Sequence, residues 1–155
     1  MIKGIVAAAL FAMASAALAQ GPIVIKFSHV VAADTPKGRA ADRFKQLAEQ
    51  RTGGKVRVEV YPNSQLYKDG EEMEALQLGS VQMLAPSMSK FGPLGLPEFE
   101  LFDLPYIFPD RAVLRRVLDG DIGRDLLKRL ESKGIVGLAF WAGTMITRRG
   151  AARRP

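Results

Sequence analysis

Hydrophobic and polar positions along this chain alternate between two periods. Ile23–Val24–Ile25–Lys26–Phe27–Ser28–His29 is apolar and β-branched and stops at small and polar residues before Pro36, which predicts a buried first strand over Ile23–His29. From Lys37 the spacing becomes helical, with Ala40, Phe44, Leu47 and Ala48 on one face and Arg39, Asp42, Arg43, Lys45, Gln46 and Glu49 mostly elsewhere. Asp34, Thr35 and Pro36 supply start signals for that helix, and Gly53–Gly54 supplies its exit. Lys55–Tyr61 then sets valines against charged residues in strict alternation, as a half-buried strand does. Pro62–Asn63–Ser64 forces a turn. Asp69–Gly70–Glu71–Glu72 opens a short helix whose acidic first turn suits the positive end of its dipole, with Met73, Leu76 and Gln77 along its inner side. Gly79 closes it before a short apolar strand, Val81–Ala85.

Gly92–Pro93–Leu94–Gly95–Leu96–Pro97 reads as a loop, and Phe99, Leu101, Phe102, Leu104, Tyr106, Ile107 and Phe108 follow it as an apolar cluster that something must cover. Two helical patterns come next, one carrying Val113, Leu114, Val117 and Leu118, the other Ile122, Leu126, Leu127 and Leu130, split by Gly120. Gly134 ends the second, and Ile135–Trp141 reads as a fourth strand. Strands alternating with helices predict an α/β fold with a mostly parallel sheet flanked by helices. Beyond Thr147 the pattern fails, and 148–155 reads as a disordered Arg-rich tail.

The two ends change the picture further. Met1–Lys3 is a short basic start, Gly4–Leu18 an almost unbroken apolar run, and Ala17–Leu18–Ala19 a small-residue cleavage signal. The run is shorter than the ~20 residues a spanning helix needs, so residues 1–19 read as a cleaved signal peptide and the mature chain as an exported, periplasmic one beginning at Gln20. The absence of cysteine excludes a disulfide framework and thiol chemistry. Of the net charge of +6, Lys3 and the four tail arginines account for all but +1, so the body carries no basic face suited to nucleic acid. The tail could meet an acidic partner or simply lack order.

Chemistry-bearing groups are few. His29, the sole histidine, falls at the carboxyl end of the first strand, where open α/β sheets hold ligands, and it reads equally as a ligand group or a capping one. Ser28 and His29 project to opposite faces and cannot pair as nucleophile and base. Glu71 and Glu74 share a helix face at i, i+3, but solvated helix charge is the simpler account. The glycine-rich stretches at 53–54 and 92–95 lack the lysine and serine of a phosphate loop, and one histidine with scattered carboxylates has no zinc or calcium spacing. No cofactor, metal or enzymatic activity is expected. Most aromatic residues belong in a core, leaving one or two for a site.

Several stretches nevertheless agree with one family. Ile25–Val30, Arg51–Lys55, Val58–Leu66 with its Tyr-Pro-x-x-Gln-Leu core, Ala75–Met83 and Phe102–Phe108 resemble, in order and spacing, the extracytoplasmic solute receptors of tripartite ATP-independent periplasmic (TRAP) transporters. The likeness runs from about Ile23 to Trp141. It implies a periplasmic-binding-protein-like lobe over residues 20–147, closing with a second lobe on a small organic acid such as a C4-dicarboxylate and delivering it to membrane permease subunits, without catalysis. It implies ligand contacts from the end of the first strand, from just after the Gln-Leu turn and from the end of the third strand. Those places hold His29, Asp69 and Ser87, with Trp141 and Thr144 as further candidates. Where such receptors carry a ligand arginine this chain has Met145, and the second, clamping arginine belongs to the other lobe. The change of pattern near Ala142 predicts a truncated gene or shifted reading frame, with the second lobe missing. The other reading left open is a periplasmic protein-interaction module using the cluster at Phe99–Phe108.

Overall fold

A computed structural model of the protein describes residues 21–105, 107–141 and 143–148, the last stretch as backbone only. The expected signal peptide over residues 1–19 and Gln20, Tyr106, Ala142 and the residues beyond Arg148 lie outside the described residues, as do the side chains of 143–148.

Strand β1 (Ile23–Ser28) leads through a capped loop into helix α1 (Pro36–Arg51), followed by β2 (Val56–Tyr61), helix α2 (Glu72–Leu78) and the two-residue β3 (Met83–Leu84). Two 3-10 segments (Met88–Leu94 and Pro97–Asp103) precede helices α3 (Arg111–Asp119) and α4 (Asp121–Arg129), a 3-10 turn (Leu130–Lys133), β4 (Ile135–Trp141) and β5 (Gly143–Arg148). The sheet order is β2-β1-β3-β5-β4. β1 runs parallel to β2 and β3, and β5 runs antiparallel to both β3 and β4, so four of the five strands share one direction.

The sequence explains these elements locally. Thr35 caps α1 by accepting the Gly38 N–H at 3.1 Å, with Pro36 in the first turn where its missing N–H costs nothing. Gly53 and Gly54 turn the chain out of α1 at positive φ, 59° and 78°. β3 is shorter than the apolar run Val81–Ala85 because Gln82 spends its side chain on the ladder: its Oε1 accepts the Lys26 N–H at 3.0 Å while its own N–H donates to the Lys26 carbonyl at 3.1 Å. Most of the loop read over 92–97 and the first part of the apolar cluster after it, to Asp103, fold as the 3-10 segments, with Phe91 and Phe99 packed ring to ring at 4.7 Å in the core. The strand Gly143–Arg148 has no counterpart in the sequence pattern, and it takes in Arg148, which that pattern assigns to the tail.

Strand alternation divides the core in two. Phe27, Met83 and Trp141 meet α1 through Ala41, Phe44 and Ala48, whereas Leu84 and Phe140, one residue along from Met83 and before Trp141, pack against α2, the 3-10 segments and α4 through Leu76, Phe99, Leu126 and Leu130. Each fully buried aromatic or aliphatic side chain contributes about 1.5–3 kcal/mol. A sheet covered on both faces leaves its strand ends as the places where polar groups can gather.

Candidate functional site

The carboxyl ends of β1 and β3 lie side by side, and the polar groups cluster there. His29 follows β1; its N–H donates to the Tyr61 carbonyl at 3.1 Å, and the turn after β2 returns a hydrogen bond from the Ser64 N–H to the His29 carbonyl at 3.2 Å. The ring is fully buried and edge-on to Phe27. Neither ring nitrogen has a hydrogen-bond partner among the described residues. Burial pushes the imidazole below its ordinary value; the nearby Val31 backbone offsets part of this without a hydrogen bond of normal geometry, Lys37 adds to it and Asp42 opposes it.

Lys37 stands in the first turn of α1, where the helix dipole disfavours a cation. A specific contact holds it there, since Nζ donates to the Ala85 carbonyl at 3.2 Å, just past β3. Burial pushes this ammonium down, while Glu72 and Asp69 hold it up. Asp69, half-buried in the segment before α2, pairs through Oδ2 with Lys90 Nζ at 2.5 Å, and its Oδ1 is buried without a partner among the described residues. Ser87, exposed, opens the 3-10 segment that carries Lys90 and accepts the Lys90 N–H on its carbonyl at 3.2 Å.

Beside these groups opens a cavity of ≈ 780 Å³ whose lining includes Lys37, Ser87, Met88, Phe102, Arg111 and Trp141. The geometry thus brings Ser87 and Trp141 to one open cavity with Lys37. His29 is buried and Asp69 sits with Lys90, neither among the residues lining that cavity. Thr144 pairs with Phe140 through β5, and its side chain, like that of Met145, lies outside the described residues.

Sequence reasoning misses two members of the cluster. Lys37 is visible as a lysine at the unfavourable end of a helix, a placement that asks for a reason. Glu72 reads only as part of an acidic first turn, yet its side chain is fully buried and accepts Ser28 Oγ–H at 2.8 Å; Glu71 is exposed at the cap and Glu74 is exposed on the helix. Among the described residues, no group of three or more His, Cys, Asp or Glu side chains could hold a metal ion. Of the apolar cluster at 99–108, Phe99 is buried, whereas Leu101, Leu104 and Ile107 remain exposed.

Residues 27–155 match the family model described as bacterial extracellular solute-binding protein, family 7 (DctP). The chain belongs to that family. Among the family's curated members it is 67% identical over 130 residues to the C4-dicarboxylate-binding periplasmic protein DctP of Rhodobacter capsulatus, a match covering 84% of this chain and 39% of the relative. It is 47% identical over 139 residues to the C4-dicarboxylate-binding protein DctB of Bacillus subtilis, covering 88% and 39%. A TRAP periplasmic solute binding protein of Pseudomonas aeruginosa, solved with bound L-malate, superposes at a TM-score of 0.73 with 54% identity over 77% of this chain and 42% of its own. One from Sulfurospirillum deleyianum, solved with bound succinate, superposes at 0.74 with 50% identity, covering 79% and 39%. The chain therefore spans about two fifths of the length of these family 7 relatives, which are named as binding proteins rather than enzymes.

Proposed function

We propose that this chain is the first lobe of a periplasmic receptor that binds a small dicarboxylate and hands it to the permease subunits of a TRAP-type transporter. The observation that carries the reading is a cation with unspent capacity at the ends of two parallel strands: Lys37 lines the open cavity with Ser87 and Trp141 and uses one hydrogen bond, to Ala85, of the three it can donate. The names of the relatives, and the malate and succinate held by the solved ones, supply the ligand class.

In this reading Lys37 draws one carboxylate, Ser87 and Trp141 border it, and His29 and Asp69 contribute once the wall around them rearranges on closure. Thr144 is a further contact from β5. His29 is well suited, because a neutral, buried ring with unmatched nitrogens gains more from a ligand hydrogen bond than a solvated one does. The second lobe of the fold adds a clamping charge to the binding that Lys37 already gives, and the mechanism is hinge closure without a catalytic step. In this reading residues 1–19 direct export and are then removed, and a mature start at Gln20 is checked by sequencing the N-terminus of protein recovered from the periplasm.

Titration calorimetry of the full chain against succinate, L-malate and monocarboxylates of matched length tests the reading. Succinate and malate should bind at least about tenfold more tightly than the monocarboxylates, and Lys37→Met should weaken them by about 10- to 100-fold while leaving the fold intact by circular dichroism. A folded chain with no preference for dicarboxylates, unaffected by Lys37→Met, refutes it.

A further inference from the structure

Glu72 is fully buried and takes part in none of the ligand contacts proposed above. One of its oxygens accepts from Ser28; the other, Oε2, is buried with no partner among the described residues. An ionised carboxylate is acceptor-only and needs several donors once it leaves water, whereas the neutral acid needs far fewer. One hydroxyl is too little to solvate the charge.

The charged groups that face Glu72 are Lys37 from α1, Asp69 from the segment before α2, and Lys90 from the 3-10 segment after β3. Lys90 is already paired with Asp69. Lys37 is thus the cation on which an ionised Glu72 depends, and it also lines the cavity, together with Arg111 and Arg115. A carboxylate arriving at Lys37 competes with Glu72 for that charge and adds a second negative charge to an under-solvated neighbourhood.

We propose that Glu72 is a specificity-determining residue that takes up a proton when a doubly charged acid binds beside Lys37, so that the site selects dianions by trading its own negative charge for the ligand's. The inference rests on the dicarboxylate reading above. Burial already pushes the Glu72 carboxyl up to about 6; Asp69 raises it further, and the Ser28 hydrogen bond, Lys37 and Lys90 pull it back. An anion at Lys37 cancels part of that pull, so the bound state holds the proton more tightly than the free state. By linkage, affinity falls as pH rises from about 6 to about 8, a range in which the ligand's own carboxyls are already ionised, by up to about tenfold per unit for one proton.

The test is calorimetry of succinate binding to the full chain at about pH 6, 7 and 8 in two buffers of different ionisation enthalpy. It is run on the wild type, Glu72→Gln and His29→Asn, because a protonating histidine would give the same sign. The expected result is net proton uptake by the wild type, with an affinity loss of several fold toward pH 8, the same uptake by His29→Asn at a lower overall affinity, and neither effect in Glu72→Gln. Uptake that survives in Glu72→Gln and vanishes in His29→Asn overturns the proposal, as does binding without uptake in the wild type. Failure of the folded wild type to bind succinate at any of these pH values refutes the dicarboxylate reading itself, and this inference with it. Should Glu72→Gln not fold, the carboxyl carbon of Glu72 followed by NMR in the wild type decides the matter: its titration midpoint rises with succinate if the proposal holds and stays in place if it does not.

Discussion

At the end of β1 two neighbouring residues point to opposite sides of the sheet, and each engages a buried titratable group. His29 is itself one; burial holds it below its ordinary 6.5. A base kept neutral in the fold stabilises above that value, and the contribution is lost as pH falls, because the unfolded chain takes up the proton first. Ser28 engages the other, Glu72, raised from 4.5 to about 6. A carboxyl shifted upward does the reverse: it costs nothing extra below its unfolded value and, once ionised well above about pH 6, costs on the order of 2 kcal/mol. The two nearly oppose one another across the acid range. Glu72→Gln, whose amide oxygen can still accept from Ser28, should therefore raise stability at about pH 8 by about 1–2 kcal/mol and make acid destabilisation steeper, since the opposing carboxyl is gone while the histidine still responds. His29→Asn should flatten it. Urea denaturation midpoints from about pH 5 to about pH 8 check both signs. The sequence marks His29 because it is the sole histidine at a strand end, but it cannot single out Glu72. Glu71, Glu72 and Glu74 fall in one acidic stretch, and which one is buried depends on how a seven-residue helix rolls against β3.

Turns fix the site more firmly than the strands do. Asn63 and Ser64 both sit at left-handed φ, 55° and 56°, and from there their N–H groups reach the carbonyls of Val31 at 3.0 Å and His29 at 3.2 Å. A turn following β2 thereby tethers the loop following β1. Asn63→Gly should be neutral within a few tenths of a kcal/mol, whereas Asn63→Val, β-branched in a region that L-residues resist, should cost about 1–2 kcal/mol in thermal or urea melts. The opposite side of the same loop is held by α1. A Cβ on Gly38 would lie 2.4 Å from the Ala32 carbonyl oxygen and 2.5 Å from that of Ala33, so Gly38→Ala should displace the start of the helix, cost about 1–3 kcal/mol and weaken succinate binding by moving Lys37. Element order is legible because period two and period 3.6 are written in the residues themselves, and Pro62–Asn63–Ser64 announces its turn. What that turn is used for is not legible, since a tether between two loops is a long-range fact. Nor does the spacing reveal Lys37 donating to Ala85, which requires knowing that α1 begins against the end of β3.

Across the whole molecule, the two halves of the sheet are joined through one strand. β1, β2 and β3 form a parallel unit with α1 over one face, while β4 comes with α3, α4 and the 3-10 turns. β5 lies between them, pairing Leu84 with Ile146 and Met83 with Thr147 on one side, and Gly137 with Ile146 and Val136 with Thr147 on the other. Nothing in Gly143–Thr144–Met145–Ile146–Thr147–Arg148 sets this stretch apart on composition: it is short, carries one β-branched aliphatic and runs into arginines, so a single-sequence pattern ends at Trp141. The strand is specified from outside, by the open edges of β3 and β4, both rich in unpaired backbone groups until β5 fills them. Such a dependence predicts a disproportionate effect of a backbone change there. Ile146→Pro removes a donor from the centre of a strand with ladders on both sides and should cost at least about 3 kcal/mol. Because Trp141 ends β4, packs toward α1 and borders the cavity, its fluorescence should shift to that of an exposed indole in the same variant, and succinate affinity should fall with it. An Ile146→Pro chain that keeps wild-type stability and a half-buried tryptophan would mean that β4 is held by its helices alone and that the cavity wall does not depend on β5.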